Sequence, residues 1–249
     1  TVVSAQHREM LDQVLEIFKI QPDYDLNIMQ PQQTLADITT RVLTALSQII
    51  QEEKPDIVLV HGDTTTSFAA SLAAFYQQTP LGHVEAGLRT WNKYSPFPEE
   101  MNRQLTDVLS DLYFAPTSVS RANLLKEGHP EENIFVTGNT AIDALAQTVQ
   151  ADYQHEVLDK IGQGKRIILV TMHRREAFES GMPALCRALR RLVNAHDVEI
   201  VFPVHKNPKV REVVNQELGG LSKVHLIEPL DYEPFANLMH RACLILTDS

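Results

Sequence analysis

Three carboxylates, Asp63, Glu85 and Glu99, stand where the chain could present a side chain to a ligand. Asp63 lies in Val58-Leu59-Val60-His61-Gly62-Asp63-Thr64-Thr65-Thr66, a strand pattern ending in a glycine, a carboxylate and three hydroxyls that open a helix. In parallel α/β sheets ligands bind at such strand ends, where the helix N-terminus also favours anions. The competing reading is that Asp63 or Thr64 caps the helix. Glu85 lies in His83-Val84-Glu85-Ala86-Gly87-Leu88-Arg89, and strand alternation puts His83 and Glu85 on one side. Glu85 is then an acid or base, or the ion-pair partner of Arg89 or His83. In Pro96-Phe97-Pro98-Glu99-Glu100-Met101-Asn102-Arg103, Pro98 opens a helix and both glutamates fall in its first turn. Glu99 and Arg103 are also spaced for an ordinary helix-surface pair. Convergence of the three carboxylates on one cleft would suit proton transfer to and from a substrate carbon.

A fourth candidate is basic. In Val170-Thr171-Met172-His173-Arg174-Arg175-Glu176 the histidine and two arginines follow a strand, an arrangement suited to phosphate or diphosphate, with a solvated basic turn as the alternative. His205, in Pro203-Val204-His205-Lys206-Asn207-Pro208, also ends a strand, although its prolines fit a plain turn. The ten histidines are scattered singly, with no His-x-x-x-His, Cys-x-x-Cys or Asp-rich loop, so no metal site is expected. Nor is there a Gly-x-Gly-x-x-Gly for a nicotinamide cofactor or a Gly-x-Ser-x-Gly hydrolase elbow. Cys186 and Cys243 both fall in apolar patterns and read as core residues.

The elements that must hold these residues alternate between short β-branched runs and longer amphipathic stretches, which implies an α/β fold with parallel sheets. Strands are expected over residues 1–4, 56–61, 81–85, 112–115 and 133–136, then over 166–171, 198–203, 224–227 and 243–247. Helices are expected over 6–20, 34–50, 182–194, 209–218 and 233–241. The polar, glycine-bearing stretch 150–165 separates the two series, giving a Rossmann-like domain over 1–150 and a second over 151–249, both doubly wound and facing a ligand cleft. Both termini run straight into or out of strand-like sequence, so elements are expected to be missing at each end. A net charge of -10 disfavours nonspecific nucleic-acid or anionic-membrane surfaces. The apolar runs are too short to span a membrane, and two cysteines with no secretory pattern fit a cytoplasmic setting.

Together with Thr137-Gly138-Asn139-Thr140 and Leu246-Thr247-Asp248-Ser249, these motifs closely resemble, in order and spacing, the bacterial non-hydrolysing UDP-N-acetylglucosamine 2-epimerases. The resemblance implies a glycosyltransferase-B-like pair of Rossmann-like domains and interconversion of UDP-GlcNAc and UDP-ManNAc through a 2-acetamidoglucal, without cofactor or metal. It implies that Asp63, Glu85 and Glu99 are the acid and base positions, with Arg103 orienting Glu99. By the same likeness His173 lies beside the nucleotide diphosphate, Leu230 and Phe235 contact uracil, Ser249 contacts the diphosphate, and His205 belongs to the substrate site. Gln6 and His7 match a regulatory site for a second UDP-GlcNAc, and the family suggests a homodimer. A hydrolysing epimerase that releases ManNAc and UDP, and a nucleotide-sugar-binding fragment without turnover, are the alternatives.

Overall fold

The computed structural model describes residues 1–5, 8–30, 32–172 and 181–248, apart from the side chains of residues 8–10. The chain is α/β and divides into two compact units, Thr1–Asp143 and Ala144–Ser249. In the first, β1 (Val2–Val3) pairs in parallel with β2 (Tyr24–Asp25), and α1 (Arg8–Ile17) lies between them in sequence. The helix α2 (Leu35–Glu53) is opened by a capping box in which Thr34 and Asp37 satisfy each other's backbone amides. Its Ile38, Val42 and Ile50 recur on one face and are buried.

A second parallel sheet of this unit has the order β3 (Val58–His61), β4 (Leu81–Val84), β5 (Leu112–Ala115), β6 (Ile134–Val136). The helices α3 (Thr65–Tyr76), α4 (Glu99–Leu109), α5 (Ser118–Lys126) and α6 (Thr140–Thr148) follow these strands in turn. An open slot of about 790 Å³, lined among others by Val2, Tyr24, Ile49, Ile57 and Leu59, lies between the two sheets. Leu59 on the edge strand β3 is accordingly 60% exposed.

In the second unit all pairs are again parallel, in the order β10 (Ala242–Thr247), β7 (Arg166–Thr171), β8 (Val198–Pro203), β9 (Val224–Ile227). Successive residues of β7 face opposite cores. Ile168 and Val170 join Ile200 and Phe202 against α8 (Met182–Ala195) and α9 (Pro208–Leu218). Ile167 and Leu169 join Val201 against α7 (Glu156–Ile161) and α10 (Tyr232–Arg241). Coverage of both faces explains why β7 reads as an unbroken apolar run.

Within the stretch 150–165, α7 buries Val157 and Ile161 in the second unit's core. One expectation needs correction. Cys186 is buried as expected, but Cys243 is exposed. The register shifts between Ala242 and Leu244, so Cys243 occupies an irregularity on a strand at the edge of its sheet.

Candidate active site

The candidate site begins where β3 ends. Gly62 turns the chain with a φ of +70°, a region a side chain disfavours, and its amide donates to Val84 O at 3.0 Å. Capping of α3 falls to Thr64, whose hydroxyl accepts from the Ser67 amide at 3.1 Å. Asp63 is therefore released from capping. Its carboxylate receives Arg103 Nη2 at 2.8 Å, and its carbonyl accepts from Asn102 Nδ2 at 3.0 Å.

Glu85 arrives from the neighbouring strand. The strand β4 stops at Val84 because Glu85 enters the left-handed region with a φ of +74°, and the amides of Glu85 and Ala86 both donate to Phe114 O. A non-glycine residue held there costs on the order of 1–3 kcal/mol, and such strain collects at functional sites. His83 is fully buried while Glu85 is partly exposed, and both side chains come close to Gly62. One Glu85 oxygen lies 3.3 Å from where a side-chain carbon on residue 62 would stand, so Gly62 also clears room for this carboxylate. Among the described residues, no hydrogen bond or ion pair takes up the Glu85 side chain, which sets aside its reading as the partner of Arg89 or His83.

The third contribution comes from the first turn of α4. Glu99 is partly exposed, and Glu100 is fully buried. Burial alone would raise the Glu100 carboxyl, but the amides of Thr90 and Trp91 and the Gln104 side chain outweigh it and hold it below the usual carboxylate range. Arg103 reaches Asp63 and, at 3.6 Å, Glu100. Among the described residues no contact between its guanidinium and Glu99 is seen. Asp63 and Glu85 are brought together around Gly62, and Glu99 lies on the helix that holds Asp63. No described contact joins Glu99 to either.

Beneath these groups runs a buried charge chain that the sequence motifs did not single out. His83 contacts Asp107, which receives Arg89 Nη2 at 2.6 Å, and Arg89 reaches both oxygens of Glu127. A positional clue existed, since Glu100, Arg103 and Asp107 recur at helical spacing and so share one face of α4.

In the second unit the described candidates are less constrained. His205 is exposed beyond β8, and its Nδ1 accepts from the Asn207 amide at 3.1 Å, so it does form the turn that its prolines suggested. Leu230 and Phe235 are half-buried against the core beside β7 and α10. His173 and Ser249, and the regulatory candidates Gln6 and His7, lie outside the described residues.

The sequence model of the family described as UDP-N-acetylglucosamine 2-epimerase matches residues 1–249. The chain is 57% identical over 248 residues to the UDP-N-acetylglucosamine 2-epimerase of Bacillus subtilis, covering 99% of this chain and 65% of that protein. It is 56% identical to the UDP-N-acetylglucosamine 2-epimerase of Escherichia coli K12, covering 99% of this chain and 68% of that one. The solved structure of UDP-GlcNAc 2-epimerase from Neisseria meningitidis bound to UDP-GlcNAc superposes with a TM-score of 0.82 at 48% identity, covering all of this chain and 69% of that chain. This chain thus spans 65% of the length of its Bacillus relative.

Proposed function

Because the chain belongs to the UDP-N-acetylglucosamine 2-epimerase family, we propose that it carries the acid–base apparatus of an epimerase that interconverts UDP-GlcNAc and UDP-ManNAc. The observation that carries this reading is the pair of carboxylates around Gly62: Asp63 held by Arg103 and Asn102, and Glu85 beside Gly62 with no hydrogen bond or ion pair among the described residues. Inversion at a carbon needs one group to remove a proton from one face and another to return it to the opposite face. Two carboxylates on different strand ends, held in different environments, fit that division of labour.

In the proposed reaction a carboxylate takes the proton from sugar carbon 2. The C–H electrons form the double bond to carbon 1, and the bond from carbon 1 to oxygen breaks towards UDP, leaving a 2-acetamidoglucal. Re-addition of UDP and protonation from the other face complete the exchange. The cycle is redox-neutral and consumes no water, and the reading assigns it no cofactor and no metal on family grounds. Asp63, Glu85 and Glu99 are the proposed acid and base groups. His173, His205, Leu230, Phe235 and Ser249 are assigned to the nucleotide, with cationic and hydrogen-bonding contacts that hold UDP while it is detached. Gln6 and His7 are assigned to a second, regulatory UDP-GlcNAc. We assign the protein to the cytoplasm and to a homodimer on family grounds; among the described residues no helix is long and apolar enough to cross a membrane.

The test is proton NMR of UDP-GlcNAc with the 249-residue chain in heavy water. Deuterium appearing at carbon 2 and formation of UDP-ManNAc, both lost in Asp63→Asn and Glu85→Gln, are expected. Release of free ManNAc would move the assignment to the hydrolysing reaction, and tight binding of UDP-GlcNAc without exchange would leave a binding function alone.

A further inference from the structure

Between Glu85, which follows β4, and Glu99, which opens α4, residues 86–98 form neither helix nor strand. Residues 90–97 are exposed in succession, and Trp91, Tyr94 and Phe97 are among the exposed large side chains. Such a strap has little apolar packing to hold it, so hydrogen bonds must. Some of them close within the strap: the Ser95 amide donates to Asn92 O at 2.8 Å, and the Tyr94 amide to Asn92 Oδ1 at 3.1 Å. These bonds give the strap a shape without attaching it to anything.

Attachment to α4 comes from Glu100, whose side chain is fully buried. Its Oε1 receives the amides of Thr90 at 3.1 Å and Trp91 at 3.0 Å and the Gln104 Nε2 at 2.8 Å, while Oε2 also faces the Thr90 amide at 3.1 Å. Arg103 Nη1 stands 3.6 Å from Oε2. The Glu100 amide in turn donates to Pro96 O at 3.1 Å, so one residue grips both ends of the exposed run. Each group facing this carboxylate is a donor, which suits a side chain that only accepts. Glutamine would not replace it. A single carbonyl oxygen has two lone pairs for three donors, and the amide nitrogen would meet Thr90 and Arg103 as donor against donor.

We propose that Glu100 is a positioning residue that fastens the strap between Glu85 and Glu99 to the first turn of α4 and so fixes where Glu99 stands. This role rests on the epimerase reading above. Glu99 shares that first turn with Glu100, so a strap free to swing would carry the start of the helix with it. The same carboxylate reaches a second candidate through Arg103, whose guanidinium lies between Glu100 and Asp63. Two adjacent glutamates thus divide the work. The partly exposed one is left for chemistry, and the buried, fully bonded one supplies direction.

Trp91 is the only tryptophan of the 249-residue chain, so its fluorescence reads the strap without any substrate. In the unsubstituted chain the Thr90 and Trp91 amides should exchange slowly with heavy water although both residues are exposed. In Glu100→Gln the Trp91 amide should exchange faster and the tryptophan anisotropy should fall, while circular dichroism keeps the fold. Carbon-2 exchange of UDP-GlcNAc should then drop about 10²-fold in kcat with KM little changed, the pattern of misplacement rather than lost binding. Val42→Ala, which injures the apolar core of the same unit, should lower stability and leave the anisotropy and the kcat per folded molecule unchanged. Fast exchange of both amides in the unsubstituted chain overturns the proposal whether or not Glu100→Gln folds. So does a kcat in Glu100→Gln that falls no further than in Val42→Ala. A protected strap that loosens in Glu100→Gln, in a chain without carbon-2 exchange, supports the clamp and counts against the epimerase reading.

Discussion

The two units share a plan of four parallel strands with covering helices, yet they fill the region behind their strands in opposite ways. Behind β3 and β4 the first unit buries His83, Glu100, Arg103 and Asp107. Behind β7 and β8 the second buries Val170, Met182, Leu189, Ile200 and Phe202. Its described strand-end histidine, His205, is left exposed. Its one buried acidic side chain among the described residues, Glu199, pairs with His225 at 2.9 Å at the opposite end of β8. Buried charges are a poor way to gain stability, because desolvation consumes most of the attraction. They are a good way to fix geometry, since each fully bonded group has one orientation. The first unit spends stability on direction, and the second gains it chiefly from apolar packing.

The largest expected effect comes from breaking the charge chain. Asp107→Ala leaves His83 and Arg89 without their shared partner and should destabilise the first unit by about 3–5 kcal/mol, read from the urea midpoint. The sign with pH follows. The folded pKa of Asp107 lies below its unfolded value, so its contribution is fully present above the ordinary carboxylate range and is lost as pH falls through the folded value. Acid should therefore weaken the unsubstituted chain but change Asp107→Ala much less. In the second unit the matching injury is a cavity: Leu189, fully buried in the larger apolar cluster, should cost about 3 kcal/mol as Leu189→Ala, with no comparable acid dependence. If the two variants showed the same pH profile, the contrast between the units would collapse.

What was legible in the sequence divides along the same line. Every parallel strand of four or more residues sits where its apolar run predicted, and in β7 and β8 burial on both faces accounts for that run. β2 was not legible: Tyr24–Asp25 is two residues long and is defined by pairing with β1 rather than by any pattern of its own. Strand ends singled out Asp63 and Glu85, and a helix start singled out Glu99, but no pattern in the sequence pointed to the partners of Asp63. Arg103 suits Glu99 by spacing, yet pairs with Asp63, a residue 40 positions earlier that only the fold brings near.

A smaller effect separates capping from chemistry at adjacent residues. Thr64→Ala removes the bond to the Ser67 amide and should cost about 1 kcal/mol in stability, while carbon-2 exchange per folded molecule stays near the unsubstituted level. A collapse of exchange in this variant would mean that the hydroxyl, and not Asp63 alone, belongs to the chemistry.

The smallest perturbation uses the two thiols to watch the second unit by itself. Cys243 is exposed in the irregular stretch of β10, so Cys243→Ser should shift stability by no more than about 0.5 kcal/mol. Cys186 is buried in the apolar cluster, and burial pushes its thiol up to about 11. In the Cys243→Ser chain a thiol reagent should therefore react only as fast as the second unit opens. Adding Leu189→Ala should speed that labelling by roughly the factor its stability loss implies, about 10²-fold for 3 kcal/mol. Adding Asp107→Ala instead should leave it nearly unchanged, since the charge chain supports the first unit. Equal acceleration by both substitutions would show that the charged and apolar regions share one opening event, and that their stabilities cannot be assigned to separate units.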